Sequence, residues 1–178
     1  MHKNIQTIYQ ETIAFAALKH GNQKMPIGLP YVVHLSNVAM EVFMAHKKEP
    51  NFNIDLAIQL ALLHDVLEDT PLSFKELEDT FGNIVATGVL ALTKNASLDK
   101  KDQMQDSLAR IAEQDKEVAI VKLCDRITNL QKPPVKWDKE KIKKYHLQAV
   151  VIAETLQGKN AYLDKRLQEK IKAFIVFI

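Results

Sequence analysis

Four ionisable side chains, His64, Asp65, Glu68 and Asp69, fall in the C-terminal half of the apolar stretch NIDLAIQLALLHDVLED at residues 53–69. At about 100° per helical residue they fall within an arc of roughly 140°, so one wall of one pocket can hold all four. Burying ionised carboxylates without partners costs on the order of several kcal/mol, and a metal ion would compensate them. An adjacent His and Asp offer a nitrogen and an oxygen ligand, and carboxylates one turn later can handle a water activated by the cation. The competing reading is a capped helix end with solvated acids. Acids at a helix C-terminus oppose the macrodipole, which makes that a poor choice for stability alone.

Further ligands occur at suitable places. His34 lies at the start of the preceding helix in PYVVHLSNVAMEV, and Asp125 lies in a second apolar stretch, VAIVKLCDRITNL. An ion pair of Asp125 with Lys122 or Arg126 is the alternative for that residue. The set His34, His64, Asp65, Asp125 holds two imidazoles and two carboxylates, a mixture that suits Mn²⁺, with other divalent cations possible.

The three segments PYVVH, HDVLED and KLCDRITN, in that order, resemble the HD-domain metal-dependent phosphohydrolases. Within that group they look like the hydrolase domain of the RelA/SpoT enzymes and the free-standing small alarmone hydrolases, over about residues 20–156. The resemblance implies a metal held by His34, His64, Asp65 and Asp125, with Glu68 and Asp69 catalytic. It also implies release of 3′-pyrophosphate from guanosine tetraphosphate or pentaphosphate, with Lys94 and Asn129 near a nucleotide substrate. Tyr31 is either a substrate contact or a packed aromatic at a helix entry. In the resembled family the loop before PYVVH carries a basic pair for the substrate's phosphates. Aligned without gaps, those places are Met25 and Pro26, and Lys24, the loop's remaining basic residue, is the candidate to meet those phosphates instead. Residue chemistry alone supports metal-assisted hydrolysis of a phosphoester or phosphoanhydride. It leaves open a different phosphorylated substrate, or a non-catalytic module that binds nucleotide.

A chain of 178 residues, 47% hydrophobic and 26% charged, fits one domain over 1–178 with a real core and leaves little room for a second catalytic unit. A net charge of +2 gives no electrostatic case for wrapping a long nucleic acid. The lone Cys124 sits in an apolar run and reads as a reduced, buried thiol in a cytoplasmic protein. The N-terminus lacks the continuous apolar core of a signal peptide, and the AFIVFI run near the C-terminus is too short to span a membrane. That run reads as docked on the body, with a contact between copies of the chain as its alternative.

Helical periodicity recurs throughout with only 5 Gly and 6 Pro, so the fold class is all-α, a compact multi-helix bundle. Helices are expected over 3–20, 31–48, 53–69, 83–93, 97–114, 117–130, from 138, and over 159–176. A short helix is expected between them, opened by a Ser73/Glu76 capping box and closed by Gly82. The charged 97–114 segment reads as a solvated face, and Arg126 as bracing the site. Lys141, Lys143, Lys144 and Tyr145 are candidates for a pocket rim. His2 and His46 read as surface residues, and His146 as surface or polar core.

Overall fold

The computed structural model describes residues 4–178; the surface assignment of His2 and the first residue of the helix expected from position 3 lie outside them. Among the described residues there are ten α-helices and no strand: α1 Ile5–His20, α2 Val32–Lys48, α3 Ile54–Leu63, α4 Val66–Asp69, α5 Phe74–Phe81, α6 Asn83–Leu92, α7 Gln103–Ala112, α8 Lys116–Asn129, α9 Lys139–Thr155 and α10 Ala161–Phe174. The all-α expectation holds.

Side-chain caps start five of these helices. Asn4, Asn53, Ser73, Asp138 and Asn160 each accept a hydrogen bond from a backbone N–H of the first turn, satisfying donors that the helix itself leaves unpaired. The Ser73 half of the capping box is present, whereas the Glu76 carboxylate pairs with Lys19 of α1. Gly21 and Gly82 end α1 and α5 at positive φ, 51° and 87°, where a Cβ would be strained.

The centre of the bundle is α3, buried between α1, α2, α6 and α8. Ala57, Ile58, Leu60, Ala61, Leu62 and Leu63 have no solvent exposure, so this helix is apolar on almost every side, as its sequence requires. Helix α8 packs on α2 and α3, and α10 closes over α8 and α9. Glu49, just after α2, accepts from the backbone N–H groups of Ala161 and Tyr162, and Arg166 of α10 grips Glu41 of α2 through two nitrogens. These ties hold α2, which carries His34, in register with the rest.

Three boundaries differ from the sequence-based expectation. The segment 53–69 is not one helix: it breaks at His64 and Asp65 into α3 and α4. The Ala61 carbonyl, which in a continuous helix would take the Asp65 N–H, accepts from Nδ1 of the His64 ring at 2.8 Å. Asp65 then turns to φ −104°, ψ −2°, in the sparsely allowed bridge region. The helix expected over 97–114 forms only over α7. Asn95 takes up the Ser97 N–H and hydroxyl, and an Asx side chain that bonds the backbone ahead of it favours a turn over a helix. The last helix ends at Phe174 and passes into a 3₁₀ turn, Ile175–Phe177. Phe174 is buried and packs on Phe177, but Ile175 and Val176 face solvent, so the apolar C-terminal run is docked only in part.

Cys124 is buried and unpaired, and burial pushes its thiol well above the ordinary range. His46 is half-buried with its ring edge-on to Phe52, and His146 is half-buried with an unpartnered Nε2. No helix among the described residues is long and apolar enough to cross a membrane.

Because α3 carries both the core and the site, a core deletion there should be costly. Leu62→Ala should lower the unfolding free energy by about 2–5 kcal/mol, the usual range for a fully buried leucine. Urea denaturation checks this, and a loss under about 1 kcal/mol would contradict the central placement of α3.

Candidate metal centre and active-site pocket

Nε2 of His34, in the first turn of α2, and Nε2 of His64, at the end of α3, stand 3.2 Å apart. Asp125 of α8 brings Oδ1 to 3.5 Å from the first and 3.7 Å from the second. Asp65, in the helix break, places Oδ2 3.6 Å from His34 Nε2 and 2.8 Å from His64 Nε2. One ligand atom from each of His34, His64 and Asp125 lies within 4.8 Å of the other two.

This donor set fits a divalent cation. Ligand atoms about 2.1 Å from one ion sit about 3.0–3.4 Å apart along the edges of its coordination polyhedron, close to the separations seen. Tautomers agree as well. A carbonyl can only accept, so the Ala61 contact requires the His64 proton on Nδ1 and leaves the Nε2 lone pair facing the cluster.

The electrostatics follow from that crowding. Burial works against charge on His34 and His64, but hydrogen bonds and Coulombic attraction from Asp125 and Asp65 outweigh it and both imidazoles are raised. Burial works against the carboxylates too, yet the two imidazoles hold Asp65 and Asp125 well below the ordinary carboxylate range. The Tyr31 hydroxyl, just before α2, donates to Asp65, and both burial and that carboxylate drive it far above the usual phenol value. His20 stacks on Tyr31 with ring centroids 4.7 Å apart and bonds Gln23, so the end of α1 fixes the tyrosine.

A cavity of about 320 Å³ opens beside the cluster. Glu68 and Asp69 of α4 line it together with Tyr31, Lys94 and Asn129. Glu68 accepts from both the Lys94 backbone N–H, at 3.1 Å, and its ammonium, at 2.5 Å. Burial opposes the Lys94 charge, but Glu68 outweighs it and the ammonium is raised. Asn129, one turn past Asp125, donates Nδ2 to its Oδ1.

Lys24 is exposed, bridges Pro30 through its backbone, and is not among the lining residues. From that loop it is Gln23 that reaches the site, donating Nε2 to Asp69 at 2.8 Å. Residue reasoning also passed over Gln148 and gave Lys122 no role beyond an ion pair. Both line the cavity, and Lys122 lies 3.8 Å from Asp125. Their signal was spacing, since each stands three residues from a site residue on its helix, Tyr145 and Asp125. Burial lowers Lys122, with Asp125 opposing. The Arg126 guanidinium carbon lies over the Tyr145 ring, 4.2 Å from its centre, and burial drives that phenol up to about 12. Lys141 and Lys144 line a neighbouring groove that shares Tyr145 and Gln148 with the main cavity.

The family model described as HD domain matches residues 12–149, which include both histidines and both aspartates of the cluster. The chain belongs to the HD domain family. It is 34% identical over 175 residues, 95% of each chain, to the guanosine-3′,5′-bis(diphosphate) 3′-pyrophosphohydrolase MESH1 of Danio rerio. The Drosophila melanogaster MESH1 is 32% identical, covering 90% of this chain and 91% of its own. A solved structure of a metazoan ortholog of SpoT that hydrolyses ppGpp superposes with a TM-score of 0.80 at 30% identity, covering 97% of both chains. A Listeria monocytogenes structure shares the fold at 21% identity and a TM-score of 0.64, covering 82% of this chain and 97% of its own.

The raised imidazoles set a pH dependence for the metal-free protein. A group whose folded pKa exceeds its unfolded value, about 6.5 for His, stabilises fully below that value and loses its contribution as pH rises through the folded one. The depressed carboxylates keep theirs throughout, since they lose it only as pH falls through their folded values. Chelator-treated protein should therefore melt at a lower temperature at pH 9 than at pH 6. Excess manganese should offset the loss increasingly toward high pH, because the cation needs unprotonated imidazoles. Melting curves across that range check both; a chelated protein that gains stability as pH rises contradicts the reading.

Proposed function

We propose that the protein is a metal-dependent phosphohydrolase that removes the 3′-pyrophosphate from guanosine tetraphosphate and pentaphosphate. The observation carrying this is the convergence of His34, His64, Asp65 and Asp125 beside a cavity lined by Glu68 and Asp69, in a chain matching relatives named for that activity along nearly their whole length. The metal proposed is Mn²⁺, for the mixed imidazole and carboxylate set.

When bound, the divalent cation polarises a phosphoryl oxygen and makes water nucleophilic near neutral pH. His34, His64, Asp65 and Asp125 would hold it, and the Tyr31 and Asn129 hydrogen bonds keep the two carboxylates in place. Glu68 and Asp69 orient the attacking water and accept its proton. The water oxygen forms the new bond to phosphorus while the bond to the 3′ oxygen breaks, and a proton returned to that oxygen yields pyrophosphate and a guanosine 5′-phosphate ester. Lys94 supplies positive charge for the phosphoryl oxygens. Lys122 and Arg126 add cationic charge at the inner wall, where the loop offers Met25 and Pro26 in place of a basic pair.

That loop favours one second reading, hydrolysis of a different nucleotide or phosphorylated metabolite by the same centre. A phosphate-release panel with manganese separates them: turnover of the guanosine alarmones supports the first, and intact alarmones with other nucleotides cleaved supports the second. The substrate in either case is a small molecule. The setting proposed is the cytoplasm, where the lone buried thiol stays reduced.

The division of roles is testable within the site. Glu68→Gln should keep metal content near wild type and lower turnover by roughly 10²–10⁴-fold, the range for a lost general base, whereas Asp65→Ala should lose both. Metal analysis paired with steady-state kinetics checks this, and equal metal loss in the two variants contradicts it.

A further inference from the structure

Helix α7 contributes no side chain to the catalytic pocket, yet two of its residues are turned toward the end of α6 rather than to solvent. Arg110 donates Nη1 to the Leu90 carbonyl at 2.5 Å and Nη2 to the Thr93 carbonyl at 2.8 Å. Ser107, buried, donates its hydroxyl to the Ala91 carbonyl at 2.8 Å. The last carbonyls of a helix have no partner within it, so these three contacts fasten the final turn of α6 from outside. Asp106 in turn holds the guanidinium, through Nε at 2.9 Å and Nη2 at 2.7 Å.

The residue immediately after that fastened turn is Lys94. Both its backbone N–H and its ammonium engage Glu68, so the position of the Lys94 backbone sets where the Glu68 carboxylate sits. We infer that Arg110 is a positioning residue for the reaction: with Ser107 it locks the C-terminal turn of α6 so that Lys94 holds Glu68 at the pocket. The step from position to catalysis rests on the roles proposed above for Lys94 and Glu68; the lock itself does not. A lysine at 110 would keep the charge, but its single ammonium cannot reproduce the planar, forked hold on two carbonyls and a carboxylate.

The test is a double-mutant cycle combined with amide exchange. In the wild-type background Arg110→Ala should lower kcat/KM by about tenfold with bound metal unchanged. In a Glu68→Ala background the same substitution should change it by less than about twofold, because the carboxylate that the lock positions, through the Lys94 N–H and ammonium together, is already gone. A merely structural role would give equal losses in both backgrounds, and that result overturns the inference. Hydrogen exchange at the Lys94 amide should quicken at least about tenfold in Arg110→Ala while the α3 amides keep their protection; an unchanged Lys94 amide also overturns it. If Arg110→Ala does not fold, Arg110→Lys enters the same cycle and is expected to show a several-fold effect with the same dependence on Glu68. Wild-type protein that cleaves no guanosine alarmone would defeat the substrate proposal, and the exchange measurement would still decide the lock.

Discussion

Two imidazole nitrogens 3.2 Å apart, flanked by two carboxylates in the interior of the bundle, impose the constraint on which this structure turns. Bare, such a cluster is costly, since charges withdrawn from water must be repaid by close partners. Protons on the imidazoles provide one solution and a divalent cation the other, and both require the donors to stay converged. Rigidity therefore has to come from outside the cluster. It comes from the largely buried α3, from the α2–α10 ties at Glu41 and Glu49, and from the Ala61 carbonyl that fixes the His64 tautomer.

The helix break is the local consequence. By taking the Ala61 carbonyl, His64 ends α3 where the His–Asp cluster begins, and Asp65 leaves the helical path to face the imidazoles. Restarting at Val66, α4 then sends Glu68 toward Lys94 and Asp69 toward Gln23. One backbone event thus separates the groups proposed to hold a cation from those proposed to move protons. Around them the protein spends polar side chains on holding other groups in place: Tyr31 on the Asp65 carboxylate, Asn129 on the Asp125 carboxylate, Arg110 on the carbonyls at the end of α6. Hydrogen bonds of this kind fix geometry more than they add net stability.

What the sequence made legible was chemistry placed on apolar helices. Periodicity fixed the all-α class, and His34, His64 and Asp125 stood out because ionisable groups in apolar runs need an explanation. The break at His64 was invisible to periodicity, since the apolar pattern continues through Val66 and Leu67 while the event that ends α3 is a side chain competing for a carbonyl. Gln23 and Lys24 are adjacent in a loop with no period to say which faces the site, and charge drew attention to the wrong neighbour. Helix α7 read as a solvated face, and much of it is. Nothing in a residue string marks that Arg110 and Ser107 instead satisfy the carbonyls of another helix.

The central claim is that these four side chains share one cation. Anomalous diffraction at the manganese edge, from crystals equilibrated with Mn²⁺, tests it most directly. The account predicts one strong peak within coordinating distance of Nε2 of His34, Nε2 of His64 and the Asp65 and Asp125 carboxylates. Absence of a peak there, or a peak bound by other residues while the two imidazoles stay in contact, would contradict it.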